Sequence, residues 1–289
     1  MTINKNMMNI QGSSRCWFQS MLAVIVVLGG IVGQAIAKEP LVLGVHPYLE
    51  SKEVQKRFSP LAKYLGDAIG RSIRVEVSSG YDTHIKAVGK GHYDIAYLGP
   101  LSYVKLTHSF GNQVILGRLE IIGKPTFQGK IIVRIDSPIR KVSNLKGKHF
   151  AFGNRSSTMS YLVPKHVLSE AGVELKDLAK MHFAGSHTKV AQTVLDGGAD
   201  AGAVKEEVYY KNHTKGLKVL ASTPPISEHV FTASKTMQPT MINAIRNAFY
   251  GMHKTPEGKT AMRSIKATMT GVVPAADSDY DNLRVMWTP

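Results

Sequence analysis

Twice along this chain, short β-rich apolar runs alternate with segments whose apolar residues fall at helical spacing. The first series opens with "LVLGVHP" from Leu41. It continues through a helical pattern built on Val54, Phe58, Leu61, Leu65 and Ile69, which Pro60 interrupts. "IRVEVSS" reads as a second strand, "HIKAVGKGHY" as a short helix, and "DIAYLGP" as a third strand stopped by Gly99-Pro100. "NQVILGRLEI" and "KIIVRID" are further strands. The second series runs "KHFAFGN" strand, "YLVPKHVLSEAG" helix, "KMHFAG" strand, "HTKVAQTVLDGG" helix, then strands in "ADAGAV" and "LKVLAST". The tail segments "PTMINAIRNAFYGM" and "PEGKTAMRSIKATM" are helical in pattern. Such alternation predicts an α/β fold of mainly parallel sheets covered by helices. Because the rhythm occurs twice, without a sequence repeat, two lobes are expected rather than one large sheet. Ligands of such sheets sit beyond the carboxyl ends of the strands.

Residues 1–37 stand apart from this pattern. They carry Lys5 and Arg15 and no acid, then run "MLAVIVVLGGIVG" and end on Ala35-Ile36-Ala37. A basic region, an apolar region and a small-x-small site are the parts of a secretory signal peptide. The apolar run is short against the roughly 20 residues of a membrane span. A cleaved leader is the expectation, with an uncleaved anchor as the alternative. The sole cysteine, Cys16, falls inside it, so the exported chain forms no disulfide and depends on packing.

The formal net charge is +15, of which the leader supplies two. A positive field favours anionic partners. Nucleic acid is disfavoured by the export signal and by lysines spread along the chain with no long run. The eleven histidines form no metal-ligand spacing, and no cofactor is implied.

The stretch "AFGNRSSTMSYLVPKHVL" places Ser156, Ser157, Thr158 and Ser160 between a strand and a helix. One hydroxyl suffices to cap a helix. Four near one helix start are enough to cradle an oxyanion together with the open backbone amides. A hydroxyl-rich loop with a single cap remains the alternative reading. His187 occupies the same kind of place after the next strand, either as a solvent-facing neighbour of a cap or as a further donor.

These blocks resemble the phosphonate-, phosphite- and phosphate-type periplasmic solute-binding proteins of ABC transporters. "FSPLAKYLG", "DIAYLGPLSYV", "GNRSSTMSYLVPKHVL", "SHTKVAQTVLDGGADAGAV" and "VVPAADSDYDNLR" follow that family's order over nearly the whole chain beyond the leader. The resemblance implies a type II-like two-lobed binding protein with two hinge crossings. Lobe 1 is expected over 38–127 with 232–289, and lobe 2 over 128–231. It implies ligand contacts from Tyr81, the Ser157 and Thr158 hydroxyls, and His187. Ser160 falls where the family usually has glycine. Glu207 and Glu228 match acids that hold the ammonium of an aminophosphonate, although Glu207 also fits an exposed helix acid and Glu228 a loop acid. Two departures stand out. Met159 replaces a third hydroxyl, leaving only its amide as a donor. Leu98 replaces a second aromatic, with Tyr97 on the other face of its strand.

The expected function is capture of a phosphonate-like oxyanion in an interlobe cleft and its delivery to an inner-membrane permease and ATPase complex. The protein is expected to be a periplasmic monomer. A sensing module of the same fold is the alternative. An enzyme is disfavoured: no G-x-S-x-G elbow, no H-E-x-x-H pair and no cysteine nucleophile follows the leader.

Overall fold

The computed structural model describes residues 1–3 and 39–287. The chain divides into two units, residues 1–39 and 40–289, and the architecture below is that of the second. Apart from residues 1–3, the expected leader lies outside the described residues.

From its start the chain runs β1 (Leu41–Val45), α1 (Ser51–Ile69), β2 (Ile73–Val77), α2 (Tyr81–Gly89), β3 (Ile95–Leu98), α3 (Pro100–Phe110) and β4 (Val114–Ile121). A two-residue strand, β5 (Thr126–Phe127), then leads out of this lobe. The second lobe holds β6 (Gly129–Arg134), β7 (His149–Phe152), α4 (Val163–Glu170), β8 (Lys180–Phe183), α5 (His187–Leu195), β9 (Ala201–Lys205), α6 (Glu206–Asn212) and β10 (Leu217–Ser222). Another short strand, β11 (Ile226–Ser227), leads back to β12 (Val230–Ala233), α7 (Pro239–Gly251), α8 (Pro256–Ile265), β13 (Met269–Val273) and α9 (Asp281–Met286).

The first sheet has the order β13-β4-β12-β3-β1-β2 and the second β10-β6-β9-β7-β8. In each, pairing is parallel where a helix crosses between strands: β3-β1-β2 and β9-β7-β8. The other pairs are antiparallel. The sheets are therefore parallel in one half and antiparallel in the other. The antiparallel half of the first sheet includes β12 and β13, which the chain supplies after returning from the second lobe. Neither strand was expected from the sequence. The two crossings pair as an antiparallel ribbon, Ile226 opposite Phe127 and Ser227 opposite Thr126.

Apolar spacing produces the expected layers. Helix α1 buries Val54, Phe58, Leu61 and Leu65 against Leu43 and Val45. Burial of each such side chain contributes about 1.5–3 kcal/mol. That outweighs the hydrogen bond lost at Pro60, so the helix continues through the proline. The opposite face of the first sheet packs Leu98 against Leu101, Tyr103 and Val104 of α3. In the second lobe Phe150 and Phe152 pack towards Leu168 on one face, and Ala151 packs towards Val190 and Val194 on the other. Gly202 permits that approach of α5, because a Cβ there would lie 2.6 Å from Val190 Cγ1. No helix among the described residues is long and apolar enough to cross a membrane.

Candidate functional site

Four helical starts meet at one cavity. Each begins where a parallel strand ends: Tyr81 after β2, Pro100 after β3, Thr158 after β7 and His187 after β8. Their caps are Gly80, Gly99, Ser157 and Ser186. The first amides of a helical segment have no partner within it, and the dipole makes that end positive. Tyr81, Gly99, Ser157, Thr158, Met159 and His187 all line the cavity, whose volume is about 30 Å³. That exceeds the roughly 10–15 Å³ that one water needs by the same measure.

The two central hydroxyls face it with protons to spare. Ser157 Oγ accepts from the Ser160 amide at 3.2 Å, which makes it the cap of the π-helical turn Thr158–Leu162. Thr158 Oγ1 accepts from the Leu101 amide at 3.0 Å, a bond that joins the two lobes. A hydroxyl oxygen that accepts keeps its own proton for another acceptor. For Thr158 none is found among the described residues. Capping and presentation to a ligand are therefore compatible in the same side chains.

His187 is fixed as a donor. The Lys205 backbone amide donates to its Nδ1 at 3.0 Å. A backbone N–H can only donate, so Nδ1 is unprotonated and Nε2 carries the hydrogen. Nε2 lies 3.4 Å from Ser157 Oγ. Burial, with Lys205 and His229 nearby, brings the ring's pKa down to about 3. At neutral pH it is a neutral imidazole with one N–H aimed at the cavity. Tyr81 adds a phenol whose pKa burial pushes up, so it too remains a donor. Its hydroxyl bonds no other described residue.

The ring of Tyr81 lies 5.2 Å from that of His46, which follows β1. His46 stacks on both Tyr97 and His229, at 5.3 and 5.6 Å. Tyr97 and Leu98 point to opposite faces of β3, as their adjacency requires. Sequence reasoning missed His46, Tyr48, Lys205 and His229 as cavity residues. Lys205 had a visible signal: it is the last residue of β9, at the same edge as the other strand ends. His229 had none, since it enters from the return crossing.

The structure places the remaining four expected residues, Ser160, Met159, Glu207 and Glu228, as follows. Ser160 is fully buried and its hydroxyl donates to the Ala203 carbonyl at 2.7 Å, which commits it to the sheet beneath the turn. It is a structural residue here and does not line the cavity. Met159 lines the cavity, but its side chain packs in the same apolar cluster as Leu98, so the two departures from the family pattern belong to one repacked region. Glu207 is paired with Lys205 at 3.2 Å and Lys211 at 3.4 Å. Burial works to raise its pKa, but Lys205, Lys266 and Lys211 outweigh it and bring it to about 2. Glu228 is buried at the end of the crossing ribbon. It accepts from His229 Nδ1 at 2.7 Å and lies 3.8 Å from Lys266. Both acids, with Glu206, line a second compartment that shares Tyr48, Phe127, Lys205 and His229 with the hydroxyl cavity. Ser156 is also diverted: it accepts from Lys105 at 2.8 Å and donates to Asp82 at 3.0 Å, bridging the lobes.

A cleft between two α/β lobes, lined by helix starts and donors, defines a solute-binding protein. The chain matches, over residues 43–280, the family described as the phosphonate periplasmic substrate-binding protein of ABC transporters, and it belongs to that family. It is 26% identical over 271 residues to the phosphate-import protein PhnD of Mycolicibacterium smegmatis, covering 85% of this chain and 84% of that protein. It is 25% identical over 227 residues to a probable ABC transporter phosphite-binding protein, PhnD1, of Prochlorococcus marinus, covering 73% and 76%. The structure of PhnD1 from Prochlorococcus marinus in complex with methylphosphonate has the same fold. It superposes with a TM-score of 0.77 at 22% identity, over 85% of this chain and 96% of that one. The family consists of periplasmic transport components, so this chain works with a small-molecule ligand and a membrane transporter complex.

Proposed function

We propose that the protein captures a tetrahedral phosphorus oxyanion, a phosphonate, phosphite or phosphate, in the cavity between its lobes and presents it to an ABC permease and ATPase in the inner membrane. The observation that carries this reading is the convergence of four helical starts on a cavity whose side chains offer donors in excess of acceptors. Ser157, Thr158, Tyr81 and His187 supply neutral donors, and hydrogen bonds to a charged acceptor are the stronger kind. The relatives' names point to the same ligand class.

The lobes close by hinge motion about the β5–β11 ribbon. Two contacts favour the closed form: Thr158 to the Leu101 amide, and Ser156 between Lys105 and Asp82. Sheet membership supports a division into lobes near 127/128, with a return crossing at residues 226–229. The exported form is taken as a monomer freed of residues 1–37.

A thermal-shift panel tests the reading. Methylphosphonate, phosphite and phosphate are set against sulfate and a ligand-free control. A ligand that binds only the folded state raises the melting temperature by mass action, by RT ln(1 + [L]/Kd) in stability. A shift with one or more phosphorus oxyanions, with the ligand recovered intact, is expected. No shift with any of them contradicts the proposal.

A further inference from the structure

One buried nitrogen in this donor-rich cavity is an acceptor. His46 follows β1, is 1% exposed, and lines the space together with Tyr81, Gly99 and the hydroxyl turn. Its Nδ1 lies 3.1 Å from the Tyr97 carbonyl. A carbonyl only accepts, so Nδ1 carries the hydrogen and Nε2 of the neutral ring holds a bare lone pair. Among the described residues Nε2 has no hydrogen-bond partner. It is placed at the start of α3, because a Cβ built on Gly99, the cap of that helix, would lie 3.8 Å from it.

The surroundings hold this tautomer. The Tyr97 carbonyl also accepts from His84 Nε2 at 3.1 Å. His84 Nδ1 accepts in turn from Ser78 at 2.9 Å, and Ser78 Oγ lies 2.9 Å from the Tyr93 hydroxyl. Turning the His46 ring over would give up its bond to the carbonyl. Burial above all, then the His229 and His84 rings, holds the His46 pKa well below its ordinary value, and Lys205 acts in the same direction. Tyr48, Tyr81 and Tyr97 also stand against the ring. No carboxylate bonds it. His229 differs, since its Nδ1 faces the Glu228 carboxylate at 2.7 Å and so has a counter-ion for a charged ring.

An oxyanion without a proton presents lone pairs to every group in the cavity. That suits the donors and opposes His46 Nε2. An oxyanion with one P–OH satisfies both. A site built to hydrogen-bond a hydroxyl rejects the analogue that lacks it, because the site's own polar group is left unpaired.

We propose that His46 Nε2 accepts the P–OH hydrogen of the ligand, so that the site takes the singly protonated phosphorus oxyanion and rejects sulfate and sulfonates of the same shape. The contact is a hydrogen bond: the ligand brings the proton and keeps it. This rests on the oxyanion reading above and narrows it.

The test is isothermal titration of the full chain at neutral pH with two matched pairs, methylphosphonate against methanesulfonate and phosphate against sulfate. Within each pair the shape is kept and the acidic hydroxyl is lost. The unaltered protein is expected to prefer the phosphorus member by about thirtyfold or more. His46→Phe keeps an aromatic ring and removes the lone pair. It is expected to weaken whichever phosphorus ligand binds, phosphite included, by about tenfold and to shrink the preference. Equal or greater affinity for the sulfur member of a pair whose phosphorus member binds overturns the inference and leaves the oxyanion reading standing. Phosphorus affinity and preference undiminished in a folded His46→Phe protein also overturn it. Binding of none of methylphosphonate, phosphate and phosphite removes the oxyanion reading itself. The paired comparison needs no variant, so a misfolded His46→Phe protein does not protect the inference.

Discussion

The Lys205 amide donates to His187 Nδ1 at 3.0 Å, so the one nitrogen that His187 turns to the cavity is an N–H. A residue that lines the cavity thus sets the tautomer of one of its donors. Backbone and side chain of Lys205 therefore meet the same cavity, one through the His187 ring and one as a lining cation paired with Glu207.

Replacement of His187 by Asn is expected to remove the Nε2 donor, because the shorter side chain does not reach it. Loss of a hydrogen bond to a charged group amounts to roughly 1.5–3 kcal/mol, or about tenfold or more in affinity. Titration calorimetry with methylphosphonate reads this directly. Affinity within twofold of the unaltered protein would place His187 outside the ligand's reach.

The buried histidines also make stability depend on pH. Burial lowers the His187 pKa to about 3 and the His84 pKa to about 4. Both rings titrate near 6.5 when unfolded. Between these values the unfolded chain binds protons that the folded chain refuses, so stability rises with pH there. It is fully present above about pH 6.5 and lost progressively as pH falls towards 4. For His84, which is completely buried, the loss is on the order of 2 kcal/mol. Urea unfolding of the ligand-free protein at pH 7 and pH 4.5 checks this. Equal or greater stability at the lower pH contradicts it.

The fold was legible because its signals are local. Phe58, Leu61 and Leu65 recur at helical spacing, and Gly99-Pro100 marks the end of β3. Strands β12 and β13 escaped because a four-residue strand buried on both faces has no period to read, and because β13 follows directly on a helical pattern. The hydroxyl turn and His187 were legible as strand ends facing one edge. The fate of individual side chains was not. Ser156, Ser157, Thr158 and Ser160 look alike in sequence, yet Ser156 and Thr158 bridge the lobes, Ser157 caps the turn beside His187 and Ser160 is spent on the Ala203 carbonyl. Glu207 reads in sequence as a ligand acid or an exposed helix acid, and its pairing with Lys205 and Lys211 is set by side-chain geometry that no sequence period marks.

Thr158→Val separates closure from folding. It removes one donor to the ligand and strands the Leu101 amide, which Thr158 satisfies only when the lobes meet. A buried donor left unpaired costs about 1–3 kcal/mol. An open form, in which water reaches that amide, escapes the cost. The variant is expected to enlarge the ligand-free radius of gyration in small-angle scattering while its melting temperature changes little. A compact particle with a large drop in melting temperature would show the bond to be a core contact instead.

Gly153 and Ser160 are expected to be coupled. A Cβ at Gly153 would run into Ser160 Oγ and lie 2.9 Å from Ser160 Cβ, so Gly153→Ala pushes on the turn that carries Ser157 and Thr158. Such overpacking costs typically about 1–3 kcal/mol. Adding Ser160→Gly removes the obstacle, and the double variant is expected to recover much of the loss. Additive destabilisation in the double-mutant cycle would show that the two positions do not press on each other.

The central claim is that Ser157 and Thr158 present the start of a helical turn to an oxyanion. Titration of methylphosphonate into the unaltered protein and into the Ser157→Ala, Thr158→Ala double variant tests it most directly. The account predicts saturable binding by the first and a loss of about a hundredfold or more in the second, from two lost bonds to a charged group. Both proteins are expected to unfold cooperatively. Undiminished affinity in the folded double variant would contradict the account.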